Sequence, residues 1–189
     1  MKKKIAIFAS GEGTNAQRII DHFKDADAAS VVLVVSNKPT ANVLNRAKDS
    51  GIETLIIDRP SFYENERVIE KLKATGIDLV VLAGFLWMIP ESLVKAFPDK
   101  IVNIHPALLP KFGGKGMYGM HVHKAVLEAK EKESGITIHF VNEKYDEGKI
   151  ISQHSCTVLG NDTAETLAEK IHELEHAHFP GAIEKLLLS

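Results

Sequence analysis

Cysteine is almost missing from this chain. A single thiol, Cys156, in 189 residues rules out an intramolecular disulfide and fits a reducing compartment. Long apolar runs are missing as well. The basic start Met1-Lys2-Lys3-Lys4 leads straight into the short run Ile5–Ala9. That run is too brief for the core of a signal peptide and far from the roughly 20 residues that span a bilayer. A cytoplasmic location and no membrane partner are the expectation. Nor does one sign of charge dominate. With 23 basic and 25 acidic residues the formal net charge is −2, which excludes a broad basic footprint for nucleic acid and leaves room for a local patch that holds one phosphate. There is no internal repeat, linker or low-complexity segment. The length is that of one domain, 1–189, large enough to bury a core without staples.

What is present alternates between strands and helices. Ile5–Ser10, Val31–Ser36, Thr54–Asp58, Leu79–Gly84 and Ile101–His105 are short, apolar and often β-branched, as buried strands are. Between them, Ala16–Phe23, Asn42–Asp49, Glu64–Ala74 and Pro90–Phe97 carry helical spacing, the last opened by its proline. This pattern predicts a mostly parallel, Rossmann-like α/β sheet covered on both faces. A glycine-rich loop, Lys111–Met120, is expected to be mobile, and a helix follows at His121–Lys130. Gly135–Val141 alternates Ile136, Ile138 and Phe140 inward. With Lys149–Val158 it predicts an antiparallel edge near the C-terminal part. Thr163–Leu188 reads as a long helical region bent near Pro180-Gly181.

The segment Ile101–Pro110, IVNIHPALLP, organises the rest. Its apolar run stops at Asn103 and His105, and Pro106 and Pro110 prevent a regular helix or central strand from continuing. A buried strand therefore delivers an amide and an imidazole at its carboxyl end, the edge where open α/β sheets bind ligands. An amide donor and a proton-moving imidazole suit chemistry at a carbonyl. The bland alternative is an Asn and a His satisfied by nearby backbone. Gly11-Glu12-Gly13-Thr14-Asn15 follows the first strand and opens a helix, so its backbone N–H groups and the helix dipole make an anion site. With Ala16 it also fits the dinucleotide fingerprint. That fingerprint wants an acidic residue at the end of the second strand, where this chain has Ser36 and Asn37. A single-phosphate site is the better reading, with a plain tight turn as the alternative.

Other patterns carry less. His172-Glu173-Leu174-Glu175-His176 matches the zinc-protease motif formally, but a catalytic zinc needs a third protein ligand and Ala182 occupies the position of the third histidine. His121-x-His123 has no cysteine or carboxylate cluster beside it, so no metal site is expected. Asp146, in the loop Asn142–Gly148, matters only if it meets His105, where a carboxylate would orient the imidazole and raise its pKa. Cys156 has no base nearby in sequence, and there is no glycine-x-serine-x-glycine elbow. The constellation suits direct transfer of a carbonyl group rather than an acyl-enzyme.

Five pieces in order, GEGTN at 11–15, LVVLAGF at 79–85, NIHPALLP at 103–110, ITIHFVNEKYDEGKII at 136–151 and ELEHAHFP at 173–180, resemble the folate-dependent phosphoribosylglycinamide formyltransferase (GAR transformylase) family over nearly the whole chain. The resemblance implies formyl transfer from 10-formyltetrahydrofolate to the amine of glycinamide ribonucleotide, in purine synthesis. It puts Asn103, His105 and Asp146 on the family's catalytic positions, with Asn103 facing the developing oxyanion, His105 assisting proton transfer, and Asp146 orienting His105 and keeping it basic. It implies that Gly11, Glu12, Gly13, Thr14 and Asn15 hold the substrate phosphate and that Glu175 and His172 face the substrate. Leu86, Trp87, Met88 and Ile89 match the segment that receives the pterin. Asn103 and the loop Asn142, Glu143, Lys144, Tyr145 and Asp146 complete the folate pocket. His172 stands where a glutamine is expected in the bacterial pattern, Trp87 where an arginine is common, and the loop after Pro110 is longer than in the shorter bacterial forms.

The rivals are a methionyl-tRNA formyltransferase or a formyltetrahydrofolate hydrolase, which usually carry an additional domain, an NAD-dependent oxidoreductase on the glycine-rich turn, a zinc peptidase on HELEH, and a non-catalytic binding module. The expected partners are small molecules, with the chain a monomer or a weak homodimer.

Overall fold

The computed structural model describes residues 2–188. The strands are β1 (Lys3–Phe8), β2 (Ala29–Ser36), β3 (Glu53–Ile56), β4 (Leu79–Leu82), β5 (Ile101–His105), β6 (Glu133–Phe140) and β7 (Ile150–Thr157). They form one sheet in the order β3-β2-β1-β4-β5-β6-β7. β3 through β5 pair in parallel, and β6 and β7 pair antiparallel on one edge. The expected architecture is the observed one.

The helices are α1 (Thr14–Phe23), α2 (Val43–Asp49), α3 (Arg67–Thr75), α4 (Glu91–Ala96), α5 (Met120–Glu128) and α6 (Ala164–Leu188). Strand periodicity assigns them to faces. Ile5 and Ile7 of β1 point into one core with Ile19 and Phe23 of α1, Val43 of α2, Val122 of α5 and Ile171 and Phe179 of α6. Ala6 and Phe8 point the other way, into a second core with Leu72 of α3 and Leu93 of α4. The inner parallel strands β1, β2 and β4 are apolar on both sides because both sides are covered, as crossover connections require. No helix among the described residues is long and apolar enough to cross a membrane.

The differences from the sequence reading have local causes. The stretch before α3 is a π-helical turn, Pro60–Glu64, closed by the Asn65 N–H and its side-chain amide, both on the Pro60 carbonyl at 3.2 and 3.0 Å. A single polar turn of this kind has no periodicity to read. It buries Phe62 in the second core and turns Tyr63 toward the loop after β4. β6 is buried on both faces: Ile136 and Ile138 join the first core, while Thr137 and His139 are buried opposite. The long helical region expected at the end of the chain is one 25-residue helix, α6, with Pro180 inside it. The proline removes the N–H that would donate to the His176 carbonyl, and its ring crowds that carbonyl.

Glycine is required where β6 and β7 meet. A Cβ on Gly135 would stand 2.1 Å from the His154 carbonyl oxygen, whereas one on Gly181, within α6, meets nothing within 4 Å. Gly135→Ala should therefore destabilise the fold by about 1–3 kcal/mol through overpacking. Gly181→Ala should stabilise it by about 0.5–1 kcal/mol. Urea midpoints of the two variants against the parent check both signs.

Candidate active site

The carboxyl ends of β1, β4 and β5 open on one cavity of about 950 Å³. Parallel strands all end on the same edge of the sheet, so segments far apart in sequence converge there.

Strand register assembles the centre. β5 and β6 set Asn103 opposite His139 and His105 opposite Thr137. His139 is 2% exposed and His105 3%. The turn that follows β5 is fixed from the neighbouring strands. Thr137 Oγ1 donates to the Ala107 carbonyl (2.7 Å) and accepts from the Leu109 N–H (2.9 Å). Gln153 Nε2 donates to the Leu109 carbonyl at 2.9 Å. The Leu109–Pro110 peptide bond is cis.

The hydrogen bonds assign the ring protons. His139 Nδ1 lies 2.8 Å from the Phe140 carbonyl, which can only accept, so Nδ1 carries a hydrogen. In the neutral ring Nε2 is then bare, and it accepts from the Asn103 amide at 3.2 Å. This orients Asn103, with one Nδ2–H on His139 and the other left for the cavity. By the same reasoning His105 Nε2 donates to the Phe112 carbonyl at 2.7 Å. Its Nδ1 faces Asp146 Oδ2 at 3.5 Å, and Asp146 Oδ1 stands 3.6 Å from His139 Nε2. Asp146 takes a left-handed backbone conformation, φ 54°, which aspartate tolerates better than most residues.

The sequence predicts that Asp146 raises the pKa of His105. The carboxylate does pull upward, but burial is the larger effect and His105 is lowered overall. Burial pushes the Asp146 carboxyl up; the His139 and His105 imidazoles beside it, 3.6 and 3.5 Å away, and the Gly114 N–H (2.9 Å) outweigh it, and the net shift is downward. A carboxylate beside a neutral imidazole with its protonatable nitrogen turned toward it is the resting arrangement. The glycine-rich loop lies over the pair, with the Phe112 carbonyl on His105 and the Gly114 N–H on Asp146.

One end of the cavity is the start of α1. Gly13 has φ 74°, and a Cβ there would stand 2.5 Å from Val43 Cγ2, so the turn packs against α2 only as glycine. Ser10 through Asn15 line this end. The Glu12 carboxylate is engaged by Asn42 (3.2 Å) and its carbonyl by Arg46 Nε (2.7 Å). Asn15 Nδ2 donates to Glu175 Oε2 at 2.7 Å, tying α1 to α6. Glu175 is 6% exposed and its pKa is raised by burial, against the pull of Asn15 and His172. His172, His176 and His123 line the same wall.

The other end is the loop after β4. Leu86, Trp87, Met88 and Ile89 line it, and Asn142, Lys144, Tyr145 and Asp146 face them. Glu143 does not line the cavity; the Asx turn, with the Lys144 N–H on Asn142 Oδ1 at 2.9 Å, leaves its side chain outside. The Leu86 N–H is taken by Ser10 Oγ and the Met88 carbonyl by the Tyr63 hydroxyl, both at 2.9 Å. Of the predicted site residues, all but Glu143 converge on this cavity. The sequence reading missed His139, which register could have found, since it lies on the strand next to Asn103; it singled out His123 only as half of His121-x-His123, and the fold places that residue in the cavity wall.

His123 is 3% exposed, its Nδ1 has no partner among the described residues, and burial, then the charges of His172 and His105, push its pKa down to about 4. A base whose folded pKa is depressed leaves the unfolded chain holding more protons between about pH 4 and 6.5. Stability from this residue is complete above pH 6.5 and is lost as pH falls toward 4, by about 3 kcal/mol. His123→Leu should remove that share of the acid slope, read from urea midpoints at pH 4.5–7.5.

The chain is similar to known proteins over nearly its whole length. Residues 3–183 match the formyl transferase family. The chain is 45% identical over 181 residues to the chloroplastic phosphoribosylglycinamide formyltransferase of Arabidopsis thaliana, covering 93% of this chain but only 62% of that protein. It is 39% identical over 191 residues to the phosphoribosylglycinamide formyltransferase of Bacillus subtilis, covering 98% and 95%. The crystal structure of phosphoribosylglycinamide formyltransferase from Bacillus halodurans superposes with a TM-score of 0.88 at 40% identity, covering 98% of this chain and 95% of that one. The chain belongs to the formyl transferase family, among the phosphoribosylglycinamide formyltransferases.

Proposed function

We propose that this protein transfers the formyl group of 10-formyltetrahydrofolate to the amine of glycinamide ribonucleotide, a step of purine synthesis. The observation that carries the reading is one cavity with an anion-holding helix start at one end, an apolar loop with main-chain groups at the other, and Asn103, His105 and Asp146 between them. The ribonucleotide phosphate sits on the backbone N–H groups of Gly13 to Asn15, where the dipole of α1 favours an anion. Glu175 and His172 face the substrate beyond it. The folate lies between Leu86–Ile89 and the Asn142–Asp146 loop.

The chemistry follows from the proton assignments. The amine attacks the formyl carbon and the carbonyl oxygen gains charge. The free Nδ2–H of Asn103 donates to that oxygen, and one such donor contributes about 3–4 kcal/mol to lowering a barrier of this kind. The amine must shed a proton and the departing folate nitrogen must gain one. His105 takes the proton at Nδ1, where the Asp146 carboxylate balances the imidazolium, and returns it to the folate nitrogen as the bond from that nitrogen to the formyl carbon breaks. Burial keeps the ring unprotonated near neutral pH until the reaction supplies the proton.

A direct assay checks the reaction. Purified protein with 10-formyl-5,8-dideazafolate should show deformylation, followed by absorbance, with glycinamide ribonucleotide and not with methionyl-tRNA or without an acceptor. His105→Ala should lose most of kcat while both ligands still bind; near-normal turnover would sink the assignment.

His139→Leu leaves the Asn103 amide without its fixing partner. The expected loss is about 100-fold in kcat with KM for both substrates within a few-fold of the parent. A loss confined to KM would mean that His139 shapes binding instead.

A further inference from the structure

Gln153 lies on β7, at the edge of the sheet, and does not line the cavity. The residue is exposed, yet its amide is turned inward. Nε2 donates one hydrogen to the Leu109 carbonyl and the other to Thr137 Oγ1, each at 2.9 Å. The Thr137 hydroxyl has one hydrogen and two lone pairs. Its hydrogen goes to the Ala107 carbonyl, and its lone pairs take the Leu109 N–H and the Gln153 amide. Every capacity in this network is used. Ala107, Leu109 and Thr137 are buried, and Gln153 is the one exposed member.

Leu109 is the point on which both neighbours of the His105 ring lean. Three residues further on, the Phe112 carbonyl accepts from His105 Nε2 at 2.7 Å. A Cβ on Gly113 would stand 2.5 Å from Leu109 Cδ2 and 3.3 Å from Asp146 Cβ. The Leu109 side chain, the loop and the aspartate beside His105 Nδ1 are thus packed without slack. A displacement of Leu109 reaches both ring nitrogens. We propose that Gln153 is a positioning residue for the formyl transfer, fixing Leu109 from outside the cavity and so setting how His105 presents Nδ1 to the reacting amine. The kinetic part of this assignment rests on the function proposed above. Loss of the amide leaves the Leu109 carbonyl and a Thr137 lone pair unpaired in the interior, which favours a shift of the turn. Misplacing a reacting group by about 1 Å can cost about 100-fold in rate, so a support of this kind is read in turnover rather than in binding.

Three variants separate donor chemistry from bulk. Gln153→Met keeps the length and removes both donors. Gln153→Glu keeps the shape with acceptors in place of donors, and carries the same test if the methionine variant fails to fold. Gln153→Lys returns a donor at the same reach. Assays are run well below the lowest thermal midpoint of the set. Gln153→Met and Gln153→Glu should lose about tenfold in kcat, with KM for both substrates within about twofold of the parent, and Gln153→Lys should recover most of kcat. In protein labelled with 15N-histidine, the His105 Nε2–H signal, identified by its absence in His105→Ala, should move in the two donor-free variants and return in Gln153→Lys. Parental kcat without the donors, a loss confined to KM, or an equal loss in all three variants overturns the proposal. So does a His105 signal that stays in place. If the parent transfers no formyl group while the signal moves as expected, the proposed reaction falls and the positioning of His105 by Gln153 stands.

Discussion

The pairing of β5 with β6 is the constraint from which the rest of the site follows. It sets two imidazoles, an amide and a threonine hydroxyl on facing strands, in the interior, where each must find a partner. Asn103 and His139 satisfy one another across the ladder. Thr137 satisfies the turn that Pro106 and Pro110 begin and end. A shift of one residue in this register would send His139 into the apolar core and Ile138 into the cavity. The apolar cost of that slip on both faces is what holds the polar residues in place.

Burial then decides the chemistry of the groups so placed. His105 and Asp146 are close enough to form an ion pair, yet the interior disfavours the imidazolium more than the carboxylate favours it. The ring rests neutral with its bare nitrogen toward an anion. That is a poised arrangement rather than a stable salt bridge, and a buried pair of this kind contributes little to folding by itself. The loop after the turn completes it from outside, since a Phe112 carbonyl and a Gly114 N–H engage the second nitrogen and the same carboxylate. A segment without regular structure is thereby tied to the buried His105 and to the Asp146 carboxylate beside it.

The second core serves the same edge of the sheet by a different route. The π-helical turn at Pro60–Glu64 buries Phe62 against Phe8 and Phe85, ring centroids 6.4 and 5.6 Å away. This leaves Tyr63 to hold the Met88 carbonyl and Arg59 to cover Trp87. The loop after β4 and the basic groove beside it, lined by Arg59, Arg67 and Lys71, are therefore positioned by one aromatic cluster. Trp87 is the shared wall of this groove and the cavity.

The sequence by itself determined the layers and most of the site. Apolar β-branched runs separated by helical spacing leave a covered parallel sheet as the arrangement that buries them. Glycine, proline, amide and imidazole at strand ends mark where that sheet meets a ligand. Asn103, His105 and Gly11–Asn15 were legible because each sits in or beside an element that a local pattern defines, whereas Leu86–Ile89 came only from the family resemblance. Only the tertiary structure decided that His139 backs Asn103, that Glu143 turns away while Asp146 turns in, and that burial outweighs Asp146 at His105. Those outcomes depend on cross-strand register, on a left-handed residue in a loop, and on desolvation. Each is set by neighbours distant in sequence and leaves no periodic trace in the chain.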